Sequence, residues 1–143
     1  MTQNQNIDSL LEKWETVYKR GLLSFWIMLL LNEREMYAYE MAGAIKTLSK
    51  GTIVADDNSI YRALKRFGQE NLIASEKRIS ESGPARRYFW LTNDGLQLLY
   101  RFTQRNIMLF QQPQVMKAIE HILINGDNNT PQLSNNLGDT HGN

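Results

Sequence analysis

The chain has 143 residues, 42% of them apolar, no cysteine and a formal net charge of +1. That length suits one domain with appendages. The missing cysteine excludes disulfides, thiolate metal sites and cysteine catalysis, and the small net charge announces no whole-molecule field for a polyanion. The opening MTQNQNIDSLLEKW has no cationic segment leading into an apolar one, and the longest apolar run, LLSFWIMLLL at 22–31, is about half of what a bilayer span needs, so a cytoplasmic protein with no membrane partner is expected.

Residues 7–20 place Ile7, Leu10, Leu11, Trp14, Val17 and Tyr18 at helical spacing, with Glu12, Lys13, Glu15 and Lys19 between them. The pattern predicts an amphipathic helix starting near Asp8 or Ser9 and interrupted by Gly21. Residues 22–31 are apolar all round and predict a buried central helix. Residues 32–36 read as a polar break, after which Tyr37, Met41, Ala44, Ile45 and Leu48 resume a helical stripe, with Gly51 suited to cap its end. GTIVA, at 51–55, has the composition of one short strand. Asp56, Asp57 and Asn58 are good capping residues for a helix from about Ser59, and Asn71 is its expected stop.

LIASEKRIS and RRYFWLT then read as two strands joined by ESGPA, with Gly83 and Pro84 at the tip of the hairpin. Thr92 opens a further helix carrying Leu96, Leu99, Phe102, Ile107, Leu109 and Phe110, which Pro113 should kink or end. Val115, Met116, Ile119, Ile122 and Leu123 form another apolar stripe, closed by Gly126. The composition from 125 onward, rich in Asn, Gly, Asp and Thr, predicts a disordered tail. Three helices followed by a two-stranded ribbon describe a mainly α protein with a small antiparallel β-wing, a winged helix-turn-helix. Its expected divisions are an N-terminal arm (1–20), the winged domain (21–95), C-terminal helices (96–124) and the tail (125–143).

The charge is unevenly placed. Residues 58–90 hold seven basic side chains, Arg62, Lys65, Arg66, Lys77, Arg78, Arg86 and Arg87, against three acidic ones, a local +4 that leaves −3 for the rest of the chain. On the helix at 59–70, Ile60, Ala63, Leu64 and Phe67 cluster on one face, and Arg62, Lys65, Arg66 and Gln69 on the opposite one. A helix that docks an apolar stripe and presents donors outward suits the major groove, where Arg or Lys reaches guanine and Gln pairs with adenine. A solvated cationic face would have the same pattern. Arg86 and Arg87 begin the second strand of the hairpin, where cations position a protein on the DNA backbone more than they read bases; the same charges also defend an edge strand against aggregation.

These segments resemble the PadR family of transcriptional regulators. SIYRALKRFGQENLI is similar to that family's recognition-helix pattern, approximately S-[IL]-Y-P-A-L-K-R-L-E-x-E-G-L-I. SGPARRYFWLTNDG resembles its wing and following helix, approximately G-x-x-R-[RK]-Y-Y-x-L-T-x-x-G. MYAYEMAGAI is similar to its second helix, in which Y-G-Y-E is usual, and GLLSFWIMLLL to its first core helix. Together these span about residues 21–100 in the right order. The resemblance implies a winged-helix regulator, a repressor by type, that binds a palindromic operator in double-stranded DNA as a homodimer. It implies phosphate contacts from Ser59 and Tyr61, groove-facing Lys65 and Arg66, and a basic wing edge of Arg86, Arg87 and Tyr88, to which the charge pattern adds Arg62, Gln69, Lys77 and Arg78. Within the family, the long N-terminal helix and the lack of an obvious ligand cage are similar to a cyanobacterial clock-regulator branch.

The departures are specific. Arg62 stands where the family usually has Pro, adding a donor to the reading face. Ala38 replaces the usual Gly, and Asn71 replaces a Gly after the recognition helix, Asn being the next best left-handed cap. Some drug-sensing members stack planar ligands on a Trp after the wing; Asn106 stands in the corresponding place here, and no effector can be named.

The stripes at 7–18 and 115–123 are too apolar to leave in water. Burying five or six such side chains across a two-fold axis would contribute on the order of 10 kcal/mol before association costs, so Leu10, Leu11, Trp14, Val17, Tyr18, Phe102, Leu109, Val115, Met116, Ile119, Ile122 and Leu123 are the expected dimer interface. Packing of both helices on their own domain is the alternative. Catalysis is not expected: His121 and His141 fall in no metal spacing and no Gly-rich phosphate loop is present, so neither metal nor cofactor is called for. The competing non-enzymatic reading is a protein-binding winged helix using the same basic face on an acidic partner.

Overall fold

Gly21 does not break the first helix. In the computed structural model, which describes residues 3–129, α1 runs unbroken over Gln3–Glu33. One glycine costs a helix about 1 kcal/mol relative to alanine, and the helix beyond it is anchored by Ile27, Met28, Leu30 and Leu31, all buried. The amphipathic arm and the apolar central helix expected from the sequence are therefore two stretches of one element.

The described residues form two compact units, one ending at Phe102 and the other beginning at Thr103. In the first, α1 is followed by β1 (Met36–Tyr37), α2 (Ala38–Leu48), α3 (Asp57–Gln69), β2 (Ile73–Ser80), β3 (Gly83–Leu91) and α4 (Asn93–Phe102). The strands make an antiparallel sheet in the order β1-β3-β2. The core joins the α1 residues above to Met36, Ala38, Met41 and Ile45 around α2, to Ile60, Ala63, Leu64 and Phe67 of α3, and to Ile53, Ile73 and Leu99. The apolar face read from α3 is the buried one. The first unit is a winged helix with a third, short strand.

Two strand expectations change. GTIVA forms no strand; Ile53 alone of it is buried, and it has no partner in the sheet. The third strand lies instead where the supposed polar break meets the next helical stripe, Met36 of the break pairing with Phe89 and Tyr37, expected in the helix, with Tyr88. The hairpin turns on Glu81 and Ser82, while Gly83 and Pro84 belong to β3.

Helix ends are closed by backbone geometry. Asn71 is left-handed (φ 59°) after α3, with Leu72 N–H donating to Phe67 O at 2.9 Å and Asn71 N–H to Gly68 O at 3.1 Å. This double bond pattern is the Schellman closure. After α2 the same closure falls on Lys50 (φ 54°) before Gly51 (φ 79°), with Gly51 N–H donating to Lys46 O at 2.7 Å. The sequence had pointed to Gly51 alone.

The second unit contains a π turn (Thr103–Ile107), a 3-10 turn (Met108–Gln111) and α5 (Pro113–Asn129). Pro113 opens α5, at the first helical position where its missing N–H costs nothing. Gly126 lies inside α5 and closes nothing. The tail expected to be disordered from 125 is thus helical as far as Asn129; the rest of it, 130–143, lies outside the described residues. Among the described residues no helix is long and apolar enough to cross a membrane.

Candidate nucleic-acid interface

Helix α3 begins with Asp56 as its N-cap. Asp56 Oδ1 accepts from Ser59 N–H at 2.7 Å and Oδ2 from the Ser59 hydroxyl at 3.0 Å. Those two bonds hold the Asp56 carboxyl below its ordinary pKa, because both stabilise the ionised form. Arg62 then reaches back to Ser59 Oγ at 3.3 Å. With the apolar stripe buried, Tyr61, Arg62, Lys65, Arg66 and Gln69 are all exposed, and Ser59 is half-buried at the helix start. Arg66 leans away from the rest: it donates to Ser24 Oγ of α1 at 3.1 Å and lies 5.4 Å over the Phe67 ring.

The wing's cations are sorted by strand alternation. Lys77 pairs with Arg87, and Arg78 with Arg86. Neighbouring residues on a strand point to opposite faces, so each face of the ribbon carries one opposed pair of cations, an arrangement that disfavours the sheet. On the face toward α3, Arg87 donates to Ser75 Oγ at 3.0 Å. Among the described residues, Arg62, Lys65, Lys77, Arg86 and Arg87 make no ion pair. On the other face Arg78 is bound: Glu35 accepts from both of its terminal nitrogens, and Glu76 lies 3.4 Å from Nε. The bidentate bond lowers the Glu35 carboxyl and raises the Arg78 guanidinium. Tyr88 is half-buried on that face, its ring 5.6 Å from Tyr37.

A groove of about 630 Å³ lies between α3, the start of α2 and the wing, lined by Tyr61, Leu64, Lys65 and Gly68, by Ile73, Ser75, Ala85, Arg86, Arg87 and Phe89, and by Tyr37, Ala38 and Tyr39. It brings Tyr61 and Lys65 of the helix together with Arg86 and Arg87 of the wing. Ser59, Arg62, Arg66 and Gln69 lie outside it, as do Lys77, Arg78 and Tyr88. The sequence reading missed Glu35, Tyr37, Ser24 and Ser75, each of which holds one of the predicted residues; nothing in their spacing could have singled them out.

Hydrogen bonds of Thr92 tie the base of the wing to the end of α3. Thr92 N–H donates to Leu72 O at 3.1 Å and its hydroxyl to Asn71 O at 2.7 Å, while Gly95 N–H donates to the Thr92 hydroxyl at 3.1 Å. One threonine thus joins the end of α3, the end of β3 and the start of α4.

Of the self-association residues, Leu10, Leu11, Trp14, Val17 and Tyr18 are exposed on α1, with Trp14 at 78%. Phe102, partly exposed, has its ring 5.7 Å from Phe25, so it packs within its own unit. In the second unit Leu109, Met116, Ile122 and Leu123 are exposed, and Val115 and Ile119 half-buried. Among the described residues no group of His, Asp or Glu could hold a metal ion.

The model of the transcriptional regulator PadR-like family matches residues 27–101, just over half of the chain. The chain belongs to the PadR-like family. Its members are transcriptional regulators, not enzymes. The solved structures similar to this PadR-like chain include a PadR family transcription regulator from Clostridium difficile R20291, 29% identical, with 72% of this chain and 99% of that one covered and a TM-score of 0.55. A PadR family regulator from Eggerthella lenta is 23% identical over 87% of this chain and 94% of its own, at a TM-score of 0.58. Bacillus subtilis PadR, solved in complex with operator DNA, is 23% identical over 71% of this chain and 59% of its own, at 0.55. A search of curated proteins found no match.

Proposed function

We propose that this PadR-like regulator is a sequence-specific, cytoplasmic DNA-binding protein that represses by occupying a palindromic operator as a homodimer. The reading rests on the groove in which Tyr61 and Lys65 of α3 share a surface with Arg86 and Arg87 of the wing. Cations left without carboxylate partners on converging elements suit a phosphate backbone, and the Bacillus subtilis relative was solved on operator DNA. In this arrangement α3 enters the major groove, Arg62, Lys65 and Gln69 face base edges, Ser59 and Tyr61 meet phosphates at the helix start, and Lys77, Arg86 and Arg87 follow the adjoining backbone. The exposed stripe of α1, and separately that of α5, supply apolar surface for a second copy, which would set two recognition helices roughly 34 Å apart. Repression is the proposed sign because occupying a site by itself keeps other proteins off it. A part in circadian gene expression has the long α1 as its support.

The test is selection of bound duplexes from a random pool, followed by titration of the selected and a scrambled site against salt. Affinity should fall steeply with salt, and the scrambled site should be weaker by roughly 4 kcal/mol or more. Equal affinity for the two sites would leave a basic face better suited to an acidic protein.

A further inference from the structure

Two consecutive residues in the link between α1 and β1 tie down separate parts of the first unit. Arg34 donates to Glu40 at 3.1 and 3.2 Å, and Glu40 accepts from the Tyr37 N–H at the start of α2 at 3.1 Å. Glu35 instead takes both terminal nitrogens of Arg78, the longer bond at 3.0 Å. From there contacts run along the ribbon from Arg78 to Tyr37 of β1. Arg78 lies 4.8 Å over the Tyr88 ring, Tyr88 meets Tyr37 edge-on at 5.6 Å, and Arg86 covers Tyr37 at 4.5 Å.

We infer that Glu35 and Arg78 are positioning residues, which hold the wing at the angle that presents Lys77 and Arg87 to DNA, and that Arg78 itself meets no phosphate. This deepens the DNA-binding reading and rests on it. β1 is two residues long and its last residue pairs with Tyr88, so from there to its tip the wing is a bare two-stranded ribbon. Such ribbons are marginally stable alone and twist strongly. Here the ribbon also carries two opposed pairs of like charges. The bidentate bond acts close to where the third strand stops, from the short link between α1 and β1 onto β2, and adds a hold from outside the ribbon to the pairing of β2 with β3. A planar guanidinium held on both nitrogens and stacked on a ring has one geometry, which a lysine could not supply. An exposed ion pair is worth little as stability; its effect here is on orientation.

The rival reading makes Arg78 a phosphate ligand restrained by Glu35, and the two readings differ in sign. Full-length variants are titrated with the selected duplex across a range of salt, with melting temperature as a control on folding. Glu35→Gln removes a negative charge yet should weaken binding about fivefold, the scale of coupling between neighbouring residues, with an unchanged salt slope. Arg78→Gln should do the same. The exchange Glu35→Arg with Arg78→Glu should recover most of the loss, which simple removal of structure would not. Tighter binding by Glu35→Gln, a slope lowered by about one in Arg78→Gln, wild-type affinity in both single variants, or an exchange that rescues nothing would each overturn the inference. Absence of wild-type binding would overturn the DNA reading itself, and this one with it.

Discussion

The first turn of α4 passes so close to the end of α3 that a Cβ on Gly95 would lie 2.0 Å from the Leu72 carbonyl oxygen. That oxygen already accepts from Thr92 N–H, so it cannot swing aside without releasing the joint between α3, β3 and α4. Gly95→Ala should therefore cost about 3 kcal/mol or more, at or above the upper end for overpacked sites, measured by urea denaturation. A loss below about 0.5 kcal/mol would mean that this joint yields easily.

Lys50 takes a left-handed conformation, with φ at 54°, which costs an ordinary side chain about 1 kcal/mol. Lys50→Gly should raise stability by somewhat less than that, since glycine also gains freedom in the unfolded chain. An increase in the chemical midpoint without a change in denaturant slope is the expected signature. A lower midpoint would show that the lysine contributes a contact outweighing its strain.

Arg86→Ala and Arg87→Ala should weaken binding to all duplexes alike, each lowering the salt slope by about one. Because each sits opposite another cation, at Arg78 and Lys77, neither change should lower the melting temperature. Arg62→Ala and Lys65→Ala should instead relax discrimination at one base pair by about 1–3 kcal/mol. Competition binding against single-base variants of the selected site separates these classes; the opposite assignment of effects would exchange the roles of helix and wing.

Asp56 and Glu35 both have carboxyls held below their ordinary values, the first by hydrogen bonds from Ser59 and the second by the bidentate bond from Arg78. A carboxyl whose folded pKa is depressed stabilises the fold above its unfolded pKa, and that contribution is lost as pH falls through the folded value. Stability should decline as pH drops below about 4, the ordinary carboxylate range. The decline should be shallower in Asp56→Asn and Glu35→Gln, measured by thermal melts between neutral and acid pH. Wild-type steepness in both variants would remove these two groups from the acid response.

Trp14 and Val17 are 78% and 73% exposed on α1. If that stripe meets a second copy, light scattering of the wild type should give about 33 kDa, twice the 16.6 kDa chain mass, and Trp14→Glu should shift it toward the monomer by burying a charge without a partner. A wild type that is monomeric at micromolar concentration would remove the homodimer from the proposal.

Much of the fold could be read from local chemistry. The stripe of Ile60, Ala63, Leu64 and Phe67 has one solution, a helix with that face buried, and Asn71 ends it because Asn tolerates the left-handed region. Alternation in SEKRIS and RRYFW likewise indicates a paired ribbon. Where the sequence misled, the deciding term lay elsewhere in the chain. Gly21 is a weak break, overridden by packing of the residues that follow it. GTIVA has strand composition but no partner, whereas Met36 and Tyr37, too few to show a period, find one in β3.

The site divides along the same line. The sequence by itself determined that a basic helix and a basic hairpin exist and which residues supply the charge, because periodicity fixes the face a side chain takes within its own element. Only the tertiary structure decided which cations stay without a carboxylate. Lys77 and Arg78 are neighbours of like charge, yet alternation turns Arg78 to the face where Glu35, forty-three residues away, binds it. Distance in space sets an ion pair, and no spacing along a chain encodes it.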